Sequence, residues 1–308
     1  MIRAGAMVGS KLIRRDGIRL LLAASVAMLW IAYAPPARSA SPEKAPPLQK
    51  SASFGRYVTN TYFDPTSNIK DAYFEILKDG KSIYRQQATQ NGEKFAIGTL
   101  YDDDPDAKLV TMGRDITGDG EPDLVVSEWL GGANCCLIFH IFEIGPTFRK
   151  ITDLNAKFGD QGPHFVHLAP GPGLQIQIHD WTFTDWHSDF ADSPAPKVIL
   201  EYHGRGYRMA SDLMRTPTVD MTVLAAKIQK IREETKHASG SWPNANIPPQ
   251  LWGTMLDLIY TGHRILAWQF LEMAWPQKVA GKDDAFMDDF MKQLRMSPFW
   301  SPIAQLGT

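Results

Sequence analysis

Cysteine is almost missing from this chain: its 308 residues hold two, Cys135 and Cys136, side by side. That excludes a disulfide framework and a four-cysteine zinc site. Also missing are Gly-x-Ser-x-Gly, a Walker loop, a dinucleotide-binding fingerprint and the His-Glu-x-x-His of zinc proteases, so no motif names a reaction. The longest apolar run, Leu20 to Ala34, has 15 residues, short of the ~20 that span a bilayer. Positive charge is scarce in the body. Of 32 Lys/Arg and 34 Asp/Glu, the first 39 residues take six and one, which leaves 26 against 33, or −7. A mildly acidic body argues against nucleic-acid binding. What the chain does have is 44% apolar residues with 15 Phe, 9 Tyr and 9 Trp, enough for a buried core in roughly two domains and too much for disorder.

Residues 1–39 read as a signal peptide. Lys11, Arg14, Arg15 and Arg19 form a basic segment, Leu20 to Ala34 an apolar one, and Ala37-Arg38-Ser39 places small residues at −3 and −1 before Ala40. Arg14-Arg15 offers a twin-arginine route, although Asp16-Gly17 is a poor match; an ordinary secretory signal is the favoured reading and an uncleaved anchor the lesser one. Export, to the periplasm, is the expectation. Residues 40–54, rich in Pro, Lys and Ser, read as a flexible linker.

Residues 55–215 read as a β-rich domain. Apolar runs at 72–77 and 81–84 flank Asp79-Gly80, whose residues both tolerate positive φ and so signal a hairpin. Further strands are expected at 109–112, 124–128, 136–144, 174–178 and 198–202, with Gly204-Arg205-Gly206 turning into 207–209. Residues 216–308 change to helical period: Met221, Leu224, Ala225, Ile228 and Ile231 share a face, with Thr218 as N-cap. Three more helices follow, over 251–259, 265–273 and 286–294, the first stopped by Gly262. The spacing of Gly262, Ala267, Leu271 and Ala274 hints at one tetratricopeptide unit, but an ordinary helical hairpin is favoured. The expected fold class is α+β: an antiparallel β-rich domain, partly propeller-like or a sandwich, followed by a small helical hairpin or bundle.

The sharpest motif is Asp115-Ile-Thr-Gly-Asp-Gly-Glu-Pro-Asp123. Asp115, Thr117, Asp119 and Asp123 put side-chain oxygens at positions one, three, five and nine, and Glu121 supplies the position-seven carbonyl. Gly120 permits the sharp turn that brings alternate residues to one centre. Ca²⁺ takes six to eight oxygens in a flexible shell, which suits this spacing, with affinity on the order of 10⁻⁴ to 10⁻³ M. Val126 stands where an EF-hand needs its bidentate Glu, and the flanks read as strands. The alternative is an ion-free turn in which Asp115 and Asp119 cap backbone amides.

The run DITGDGEPDLVV resembles the core of FG-GAP/VCBS-type calcium repeats. The resemblance implies side-chain coordination by Asp115, Asp119 and Asp123, with Thr117 a weaker occupant. With SEWLGGANCC added, it resembles a group of exported bacterial proteins that carry no known activity; Asn134 stands where they have His, so the resemblance does not carry over a role needing that imidazole. The SPAP-x-V-x-L segment at 193–200, IYTGH at 259–263 and SPFW at 297–300 extend the likeness over most of the mature chain. A second, carboxylate-free copy follows: Gly171 lies 51 residues after Gly120, Trp181 lies 52 after Trp129, and Leu174-Gln-Ile matches Leu124-Val-Val.

Other groups supply the alternatives. His164, His167, His179 and His187 with Asp180, Asp185, Asp189 and Asp192 make a His/Asp-rich region, 164–192, in which a metal-dependent hydrolase is one reading. Its WTFTDWHSDF segment reads as a ligand-binding lip or as a solvated rim. Cys135-Cys136 either closes a vicinal disulfide suited to redox response or keeps two thiols on opposite strand faces. Asp102, Asp103, Asp104 and Asp106 read as a solvated turn. The preferred function is an exported, calcium-stabilised binding or envelope-associated module for a protein or glycan ligand, without catalytic activity.

Overall fold

The computed structural model describes residues 45–64, 66, 72–88, 94–101, 104–131, 136–156 and 164–307. The expected signal peptide lies outside them. Among the described residues no helix is long and apolar enough to cross a membrane.

Three antiparallel sheets follow one another along the chain. Sheet A is β1 (Leu48–Phe54), β2 (Tyr57–Tyr62), β3 (Tyr73–Lys78) and β4 (Lys81–Gln87). Sheet B is β5 (Lys94–Ile97), β6 (Asp123–Trp129), β7 (Leu137–Ile144) and β8 (Phe148–Asn155). Sheet C is β9 (His164–Val166), β10 (Gln175–His179), β11 (Lys197–Tyr202) and β12 (Tyr207–Met209). In every sheet the spatial order of the strands is the chain order, so each is a four-stranded meander. Asp79 and Gly80, both at positive φ, make the β3–β4 hairpin as their residue types require.

The side-chain alternation of sheet B decides how the sheets stack. Leu124 and Val126 of β6 and Phe142 and Ile144 of β7 pack with Tyr57, Phe74 and Ile76 of sheet A. Val125, Phe139 and Ile141 point the other way, onto Phe165, Ile176 and Val198 of sheet C. Both faces of these strands are covered, which is why β6 and β7 carry apolar residues on either side. The face between sheets A and B carries one polar ribbon: the His140 ring lies between Glu128 (2.8 Å) and Asp153 (2.6 Å), and Lys150 bonds Asp153 and the Tyr84 hydroxyl.

Helices cover sheet C. They are α1 (Ser211–Met214), α2 (Met221–Glu234), α3 (Gln250–Tyr260), α4 (Arg264–Ala274), α5 (Met287–Leu294) and α6 (Trp300–Leu306). Their buried residues, Trp252, Phe270, Phe290 and Leu294 among them, join the same core as sheet C, and Ala45–Thr308 form one compact unit. The fold is thus α+β, a β-rich region followed by a small helical bundle.

Four local expectations are corrected. Leu48–Phe54, read as part of a linker, is a strand: an exposed edge strand buries little and so shows no apolar alternation. Leu109 to Met112 is not a strand but a run of turns, with Val110 buried as a single plug. The N-cap of α2 is Asp220, whose carboxylate accepts from the amides of Thr222 and Val223, in place of Thr218. The aromatics of WTFTDWHSDF form no lip, because Trp181, Phe183 and Trp186 are buried between sheet C and the helices, Trp186 against Trp242 and Trp252.

Candidate metal centre

The acidic loop joins the first strand of sheet B to the second, and the Gly171 turn does the same in sheet C. The loop is closed by a short ladder, in which the Gly113 amide donates to the Asp123 carbonyl and the Asp123 amide to the Arg114 carbonyl. Ile116 is buried in the core beneath it. From the other sheet, the Leu174 amide donates to the Ile116 carbonyl at 2.8 Å. The two turns touch backbone to backbone. A Cβ built on Gly118 would lie 2.5 Å from the Gly173 nitrogen, and one on Gly173 would lie 2.6 Å from the Thr117 carbonyl oxygen. Gly118 and Gly120 both have positive φ, which curls residues 115–123 around one centre.

Backbone amides line that curl and are taken up by the carboxylates. Asp115 accepts from Gly118 at 2.6 Å and from the Thr117 hydroxyl at 3.2 Å through Oδ1, and from Gly120 at 2.9 Å through Oδ2. Asp119, exposed at the mouth, accepts from the Glu121 amide at 3.0 Å. Asp123 Oδ2 accepts from Ile116 at 2.9 Å and Thr117 at 3.0 Å. The other oxygen, Asp123 Oδ1, is buried and has no hydrogen-bond partner among the described residues. Asp123 is 1% exposed, and burial pushes its carboxyl up to about 7; the two amides oppose the shift and the charge of Asp115 adds to it.

This arrangement fits a hard cation. A buried carboxylate oxygen without a donor costs free energy that a positive ion bound there would remove. Asp115, Thr117, Asp119 and Asp123 bring oxygens to one loop, with the Glu121 carbonyl available beside them. The Glu121 side chain itself lies over Gly145 at the β7–β8 turn. Among the described residues no three His, Cys, Asp or Glu side chains gather closely enough to enclose a metal. The carboxylates are instead taken up by backbone amides of the loop.

Sequence reasoning missed Tyr207. It lies on β12, partly buried, and its hydroxyl oxygen is buried with no hydrogen-bond partner among the described residues. Burial, then the carboxylates of Asp123, Asp115 and Asp119 with the Tyr202 phenol, raise its pKa. No spacing rule links residue 207 to residue 123.

The residues of the 164–192 region go to separate partners. Asp106 is buried, accepts from the Phe165 amide at 2.9 Å and faces His164 at 3.2 Å, so it caps β9. Asp180 is buried and accepts from Tyr260 at 2.6 Å, from Ser297, and from the Thr182 amide at 2.9 Å, which ties sheet C to α3. His187 pairs with Asp289 of α5 at 2.7 Å. His167, Asp185, Asp189 and Asp192 are exposed. Cys136 is disulfide-bonded, and Cys135 lies outside the described residues.

Comparison with family models, with curated proteins and with solved structures finds no match for this chain.

Proposed function

We propose that this protein is an exported β-rich binding module whose fold is stabilised by Ca²⁺ held in the 115–123 loop. The observation that carries the reading is the buried Oδ1 of Asp123, without a partner among the described residues, inside a loop already furnished with two further aspartates. Asp115, Asp119 and Asp123 hold the ion through their side chains, Thr117 through its hydroxyl and Glu121 through its carbonyl. The likeness of DITGDGEPDLVV to FG-GAP/VCBS repeats supports the same assignment. Export rests on the composition of residues 1–39, and the role of binding a protein or glycan rests on the lack of any catalytic motif. The ion is structural: it cross-links a loop and carries out no reaction.

The test is thermal unfolding of the chain from Ala40 onward, which contains the whole compact unit, in excess Ca²⁺ and in chelator, beside Asp119→Ala. An ion that binds only the native state stabilises it by about 2.7 kcal/mol at a hundredfold excess over Kd. A calcium-dependent rise that Asp119→Ala abolishes is the expected result. Equal melting in both solutions sinks the reading.

A further inference from the structure

The helices α3 and α4 form an antiparallel hairpin across Gly262, and α2 lies beside it. At one end of α2 the Arg232 guanidinium donates to the Met273 carbonyl at 2.7 Å, near the end of α4. At the other end the Thr216 amide donates to the Thr261 carbonyl, just past α3. So α2 runs parallel to α4 and antiparallel to α3, with Leu224, Ile228 and Ile231 in the core it shares with the hairpin. Between α2 and α3 lies a groove, roughly 20 Å long by the rise of the 14 residues of α2. It holds two hollows of about 330 and 250 Å³, both lined by Lys227, Thr254 and Asp257. Leu224, Ile231 and Leu258 line it from the core, and Val223 on its rim is 52% exposed. Charge is sorted across the groove. The α2 side carries Lys227 and Lys230; the other side carries Asp257 of α3 and Asp192 of the β10–β11 connection. Lys227 and Asp257 approach only to 3.8 Å, as do Lys230 and Glu234, and such loose exposed pairs leave their charges free to meet others. Asp220, on the α2 side, is spent on capping that helix.

We propose that this groove is the interface through which two copies of the chain pair, α2 of each copy lying over α3 of the other. A two-fold axis along the groove exchanges its two sides. It therefore lays the basic side of each copy over the acidic side of the other, and the match is made twice. Around that axis Lys227 and Asp257 of the two copies alternate in sign. An axis across the groove would instead oppose lysine to lysine, so the charges select one arrangement. The same contact takes Val223 and the apolar lining out of water, which supplies the affinity while the charges set the orientation. The surface is complementary to itself, so a second copy satisfies it without any other kind of partner. The pairing does not depend on an ion at 115–123.

The experiment is sedimentation velocity of the chain from Ala40 across the micromolar range, on wild type and on two charge reversals. Lys227→Glu with Lys230→Glu makes both sides of the groove acidic; Asp192→Lys with Asp257→Lys makes both basic. Wild type should shift from monomer to dimer as concentration rises. Each double variant should keep the wild-type circular dichroism, since all four side chains are exposed. Each should dimerise with a dissociation constant at least about tenfold higher, because like charges now face each other. An equimolar mixture of the two variants should regain a dimer with one copy of each, since mixing restores opposite charges at both contacts. Mixing would not repair a folding defect. A wild type that stays monomeric throughout overturns the inference and leaves the groove to another occupant, such as an amphipathic helix of a different protein. A wild-type dimer that both double variants form equally well overturns it too, as do monomeric variants that fail to associate when mixed.

Discussion

The loop at 115–123 and the turn around Gly171 hold the same position in two successive meanders, between first and second strand, and lie against each other. One carries Asp115, Asp119 and Asp123; the other carries Pro170, Gly171 and Pro172 and no carboxylate. The neutral turn serves as a wall. Its Gly173 backbone closes on Thr117 and Gly118, and its Leu174 amide holds the Ile116 carbonyl. The acidic turn needs more than its own amides, because one buried carboxylate oxygen is left over. Topology places both turns alike, and charge alone makes one of them a candidate for an ion. In sheet A the equivalent connection is only Gly55-Arg56, so the position in the meander imposes neither length nor chemistry.

The strongest way to break this contrast is to vary pH without calcium. The Asp123 carboxyl sits at about 7 in the fold against an ordinary 3.8. The native state therefore holds a proton that the unfolded chain has released, and in chelator stability should fall as pH rises from about 4 through about 7. The loss should reach at most about 4 kcal/mol at three pKa units. In calcium the slope should reverse, since the ion needs the ionised carboxylate. Urea unfolding across pH 4 to 8 measures both, and Asp123→Asn should remove the slope and the calcium response together. An unchanged slope in Asp123→Asn would show that the pH dependence arises elsewhere.

A smaller effect tests the wall. Gly118→Ala places a Cβ at positive φ and against the Gly173 backbone, and overpacking plus strain should cost about 3 kcal/mol. Gly171→Ala sharpens the comparison from the other side. Its φ is also positive, but a Cβ there meets nothing within 4 Å. Only backbone strain remains, about 1 kcal/mol, read from the midpoint of the same urea transitions. Equal losses for the two would mean that the contact between the turns contributes little.

Much of the architecture could be read from short-range pattern. Asp79-Gly80 announces its hairpin, and Gly262 ends α3 at positive φ as a C-terminal glycine should. The Gly120 and Gly171 correspondence found in the sequence returns as two positive-φ glycines in equivalent connections. Failures came where burial comes from far along the chain. Leu48–Phe54 looks like a tether because an edge strand takes its order from its neighbour β2 and not from its own side chains. The aromatics of 181–186 look like a rim until α5 and the Trp242 segment cover them. Asp180 looks like one of a row of acids, yet its partners lie 80 and 117 residues away.

By itself, the sequence determined which residues put oxygens into the loop and where the chain turns, because ligand spacing and positive φ are properties of neighbouring residues. Tertiary structure decided that Asp123 is buried while Asp119 is exposed, and that the second turn has become a wall. Those outcomes depend on which sheet faces which. Desolvation and the loss of a hydrogen-bond partner are set by the groups that the fold brings alongside, and the 115–123 loop meets Gly173 only once sheets B and C have stacked.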